Sequence, residues 1–113
     1  MSKVYHGTTT KNLPYILKQG LRGSKSSFTN RVYVAIDSGL PEDIAQISAK
    51  EDKSEPVILV IKTNKVLHKD KEYEDEFESY YVIGAILPSE IIDVVIGKPS
   101  GYGDFVYKYK KIK

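Results

Sequence analysis

A chain of 113 residues holds one domain, with no room for a second core. It has no Cys and only two His, His6 and His68, which excludes a disulfide scaffold, a thiolate metal site and an all-His metal centre. Seventeen basic residues against fifteen acidic ones leave a net charge of +2, too small for nucleic-acid binding by bulk charge alone, and no apolar run approaches the roughly 18 residues of a membrane helix.

The opening MSKVYHGTTT lacks the apolar stretch of a secretion signal, so a soluble cytoplasmic domain is the expectation. Lys3–Tyr5 reads as a short strand running into His6-Gly7-Thr8. Thr9 or Thr10 is placed to cap a helix starting near Lys11, with Pro14 in its first turn, Leu13, Ile16 and Leu17 at helical spacing and Gly20 as terminator. Residues 22–31 form a polar loop, and residues 32–36 a buried strand. Asp37 or Ser38 then caps a second helix with Pro41 near its start. Glu42 and Asp43 suit its dipole, and Leu40, Ile44 and Ile47, with Ala45 and Ala49, are the expected inner stripe.

After a charged turn at 50–55, Val57–Ile61 is the most apolar run and reads as a central strand. Residues 64–79 are polar, with six acids between Asp70 and Glu78, and read as a solvated loop. Strands are expected at 80–83 and 93–96, separated by Gly84 and the segment Ile86–Ile92. Residues 97–104, GKPSGYGD, read as a hairpin loop. The last strand, 105–112, alternates Lys108 and Lys110 with Tyr107 and Tyr109, as an edge strand protected against pairing does. Helices come early and strands late, which is the α+β class.

Several motif readings fail. GKPSG at 97–101 lacks the phosphate-loop Gly at position 92, which is Ile, and sits between strands. Gly101-Tyr102-Gly103 lacks the third Gly of a dinucleotide fingerprint. No serine-hydrolase elbow or zinc-protease motif is present. Nine Tyr without a Trp leave two uses open, wedges in a small core or a stacking platform for a base or nucleotide.

Four signals do stand in one order: Tyr5-His6-Gly7-Thr8, then a short helix ending Gln19-Gly20-Leu21, then RVYVAIDSGLPEDIAQISA from Arg31, then YYVIGAILPSEII from Tyr80 with an acid before it. This order resembles the NAD-binding core of the ADP-ribosyltransferase superfamily, which includes poly(ADP-ribose) polymerases, ADP-ribosylating toxins and RNA 2′-phosphotransferases. The likeness covers about residues 4–96.

The resemblance implies a single compact α+β domain over 1–113, with two early helices packed on small, split, antiparallel-rich sheets. It implies NAD as co-substrate without a metal, and transfer of ADP-ribose to a macromolecular acceptor, a protein or a nucleic acid. In its terms His6 hydrogen-bonds the adenosine ribose and the Gly7 backbone approaches the nicotinamide amide. Thr8 adds a hydroxyl contact, Tyr33 stacks on nicotinamide and Arg31, or Arg22, pairs with the pyrophosphate. The acid of the third motif is Glu78. Glu76 before it completes an acid-x-acid pair, in which Glu78 orients NAD and Glu76 activates the acceptor. Counted back from Ile86, the same position falls nearer Ser79, which turns the likeness toward RNA 2′-phosphotransferases. Two other classes stay open: a catalytically weak NAD or ADP-ribose binding module, and a small nucleic-acid-binding protein that uses its Lys- and Tyr-bearing last strand.

Overall fold

The computed structural model describes residues 2–22, 31–37, 39–69, 79–99 and 105–111, with backbone only at 79, 98–99 and 105–111. The elements are β1 (Ser2–Thr9), α1 (Leu13–Gln19), β2 (Leu21–Arg22), β3 (Arg31–Ala35), α2 (Gly39–Asp52), β4 (Pro56–Thr63), β5 (His68–Lys69), β6 (Ser79–Ile83), β7 (Ala85–Ile86), a 3-10 turn (Pro88–Glu90), β8 (Ile91–Pro99) and β9 (Phe105–Lys111). This is the expected α+β class, with every strand pair antiparallel.

Seven strands run in the order β5-β6-β3-β1-β4-β8-β9, and β2 pairs with β7 beside them. The sheet is nearly cut in two. β1 pairs with β4 along its whole length, from Ser2↔Thr63 to Thr9↔Pro56, and β3 pairs with β6 from Arg31 to Ala35. Between β1 and β3 there is one paired position, Tyr5↔Ala35. Beyond it the two strands part, leaving a three-stranded and a four-stranded wing. This is the split the sequence likeness implies.

β4 explains its own composition. Its alternate residues face two cores, so the whole run Pro56–Ile61 is buried. Val57, Leu59 and Ile61 join Val4, Val32, Val34, Val82, Ile86 and Ile91 in the core that α1, through Ile16, closes on one face. Ile58 and Val60 join Ala45 of α2 and Val95 on the other, with Tyr5 and Ile92 at the margin. β9 forms one sheet edge, as its Lys alternation suggests.

The differences from expectation are local. α1 begins at Leu13 and Asn12 precedes it; Thr9 and Thr10 do not cap it. Thr9 Oγ1 instead donates to Asp52 Oδ2 (3.0 Å), and Thr10 Oγ1 accepts from the Glu55 backbone N–H (3.1 Å). The end of β1 is thereby tied to the end of α2. Asp37 Oδ1 accepts from the Gly39 N–H (3.0 Å) at the start of α2, and Gly20 ends α1 with φ of 82°. The stretch 64–79 holds β5, a two-residue strand, and the start of β6; residues 70–78 lie outside the described part.

The inner stripe of α2 is as expected at Ala45 and Ala49 and differs at Ile44 and Ile47. Pro41, Ala45 and Ala49 are buried, whereas Ile44 is 45% and Ile47 61% exposed. The reason is proximity. A Cβ on Gly7 would lie 2.2 Å from the Pro41 carbonyl oxygen, so α2 sits directly on β1 and only small side chains fit between. No helix among the described residues is long and apolar enough to cross a membrane.

Candidate functional site

The opening between β1 and β3 is the candidate site. His6 stands at its apex. Its Nδ1 lies 2.6 Å from the Tyr33 carbonyl oxygen. A carbonyl only accepts, so Nδ1 carries the proton, and in the neutral ring Nε2 is left as an acceptor. Burial lowers the His6 pKa below 6.5, against the opposing pull of the Tyr33 carbonyl. The ring is therefore neutral at neutral pH, and Nε2 is suited to take a hydrogen bond from a hydroxyl such as that of a ribose.

Strand alternation places the other residues. Tyr5 packs against the α2-side core and pairs with Ala35, so Gly7, Tyr33 and Arg31 share that side. Val4 belongs to the α1-side core, so His6 and Thr8 turn toward α1. His6 and Tyr33 thus meet through the Tyr33 backbone, not ring to ring. Thr8 is buried. Gly7 has a packing reason that sequence reasoning missed: the approach of Pro41 already forbids a side chain, whatever the backbone does toward a ligand.

On the α2 side, β3, β6 and β5 carry a continuous set of rings. Tyr33, 47% exposed, pairs with Tyr81, and their ring centroids are 6.1 Å apart at 59°. His68 pairs with Tyr81 in turn and stacks on it, 5.1 Å between centroids at 16°. The Arg31 guanidinium carbon lies 4.0 Å from the Tyr81 centroid. Arg31 Nε is buried and has no hydrogen-bond partner among the described residues. His68 and Tyr81 had no assigned role in the sequence, because nothing local shows that a two-residue strand brings position 68 against position 81.

Glu78 and Glu76, the expected acids, lie outside the described residues. The backbone of Ser79, next in chain, pairs with Ala35, one residue beyond the part of β3 that borders the opening. Arg22 lies in β2, paired with Ala85, and β2 touches β3.

A cavity of about 760 Å³ opens elsewhere, lined among others by Lys62, Lys65, Leu87 and Glu90. Lys62 pairs with Lys3, at the end of β1 remote from Gly7. Its main polar groups are committed to one another: Lys65 Nζ bonds Glu90 Oε1 at 2.5 Å, and Glu90 also accepts from Leu87 N–H at 2.9 Å. It is a junction that holds the 3-10 turn, and the chemistry implied by the sequence lies elsewhere.

Among solved structures the fold is similar to that of the chain named EcPltA, with a TM-score of 0.73 at 10% sequence identity, covering 97% of this chain and 85% of that one. No protein-family model matches the chain, and no curated protein matches it in sequence. At that identity the likeness concerns the fold.

Proposed function

We propose that this protein cleaves NAD at the nicotinamide–ribose bond and transfers ADP-ribose to a macromolecular acceptor. The observation that carries the reading is the parting of β1 from β3 at the HGT segment, with His6 held there as a neutral Nδ1–H tautomer. The order of the four sequence motifs, laid out on this split antiparallel sheet, supports it.

NAD lies along the opening. His6 Nε2 accepts from the adenosine ribose. Tyr33 offers its exposed ring to nicotinamide, and the Gly7 backbone meets the amide group. Arg31, whose Nε lacks a partner, gives a charge-assisted hydrogen bond to the pyrophosphate. Thr8 lines the inner wall.

The glycosidic bond breaks with its electron pair leaving on nicotinamide, which departs neutral. The ribose C1′ gains oxocarbenium character, and the acceptor's nucleophilic atom bonds to it. Glu78 orients the nicotinamide ribose through its 2′-OH, and Glu76 takes the acceptor's proton.

The test uses NAD labelled in its adenylate part, incubated with the protein alone, with cell lysate and with mixed nucleic acid. Label on a macromolecule together with free nicotinamide is the expected result. Nicotinamide released with no labelled acceptor makes the protein a glycohydrolase, and NAD binding without turnover makes it a binding module. Glu78→Gln is expected to lower transfer by at least about a hundredfold; full activity in that variant removes Glu78 from the reaction.

A further inference from the structure

The ring set on the α2 side reaches further than one NAD molecule requires. Tyr33 and Arg31 border the opening, but Tyr81 and His68 lie one and two strands away from β3, toward the sheet edge at β5. α2 packs mainly on β1 and β4 and only lightly on β3, and Ile83 beside Arg31 in register is 57% exposed.

The Tyr81 ring is already contacted by His68 and by the Arg31 guanidinium. His68 lies parallel to Tyr81 and is partly exposed, so its ring can extend the stack to a further planar group. Arg31 brings positive charge beside the same rings. Stacked rings beside a cation with hydrogen bonds to give are what an unpaired base and its phosphate need. A peptide acceptor has no general need of a second stacking ring.

We propose that the His68–Tyr81 platform, flanked by the Arg31 charge, binds single-stranded nucleic acid through a base stacking on His68, so that the acceptor of the transfer is a nucleic acid. The acceptor assignment rests on the NAD reading above; the binding platform does not. Duplex is a poorer ligand, because its bases are stacked on one another and closed to an outside ring.

The experiment measures fluorescence anisotropy of short labelled single-stranded DNA and RNA with the full chain, at low and at physiological salt, beside calorimetric NAD binding. Single strands are expected to bind more tightly than a duplex of the same sequence and to weaken as salt rises. His68→Ala is expected to lower single-strand affinity about tenfold, whereas His68→Phe, which keeps a ring, retains it. NAD binding is unchanged in both variants.

Absence of single-strand binding, or equal binding by wild type and His68→Ala, overturns the platform. NAD-derived label found on lysate proteins and not on oligonucleotide overturns the acceptor assignment. Oligonucleotide binding by a protein that binds no NAD upholds the platform and overturns the transfer reaction instead, so the two failures are distinct.

Discussion

His6 does for the split sheet what a ladder hydrogen bond does elsewhere, and it does so with a group that titrates. In the unfolded chain its pKa is near 6.5; in the fold burial holds it lower. Between the two values the unfolded state binds a proton that the native state does not, so native stability falls as the pH drops below about 6.5. His6→Asn keeps a side-chain N–H for the Tyr33 carbonyl and removes the titration. Denaturant unfolding between about pH 7 and pH 5 is expected to show a flatter pH dependence in this variant than in wild type. Equal slopes would mean that His6 is not the group responsible. Gly7 is tested in the same way. Gly7→Ala sets a methyl against the Pro41 carbonyl, part of the helix backbone, and is expected to cost about 1–3 kcal/mol of unfolding free energy. A neutral effect would contradict the close seating of α2 on β1.

At the scale of elements, burial on both faces made β4 readable, because a strand flanked by two cores must be apolar throughout. The terminator of α1 was equally plain, since Gly20 alone suits its left-handed φ. At Ile44 and Ile47 α2 departs from its hydrophobic pattern for a physical reason. Hydrophobicity ranks Ile above Ala, but the gap beneath this helix admits only small side chains, so Ala45 and Ala49 face in and Ile44 and Ile47 face out. Ile47→Ser is accordingly expected to change stability by no more than about 0.5 kcal/mol, and Ala45→Leu to destabilise by about 1–3 kcal/mol, both read by chemical denaturation. The reverse order would mean that the helix is rotated about its axis.

Glu90 anchors another element. Burial raises its pKa, but hydrogen bonds from Lys65, Thr63 and Leu87 N–H outweigh this and hold it below 4.5. Its contribution is present at neutral pH and is lost as the carboxylate protonates below that value. Glu90→Ala removes the ion pair and the hydrogen bonds at a partly solvated site and is expected to cost about 0.5–1 kcal/mol at neutral pH. The platform strand β5 had no readable signal, because two residues carry no period and their pairing with β6 is purely tertiary.

For the whole molecule, the informative feature is how the sheet is divided. Its two wings meet at Tyr5↔Ala35, and the HGT segment lies where they separate. That place was legible in the sequence only through the order of four short motifs, each too brief to mean much alone. The α+β class followed from the order of helices and strands, while the relation of the wings did not, because one bridging pair leaves no mark on either strand. The most direct test is calorimetric titration of NAD into the intact protein and into Tyr33→Ala. Saturable binding by wild type, weakened about tenfold or more in the variant, is the expected result; no binding at millimolar NAD, or equal binding by both proteins, would contradict an NAD site between β1 and β3.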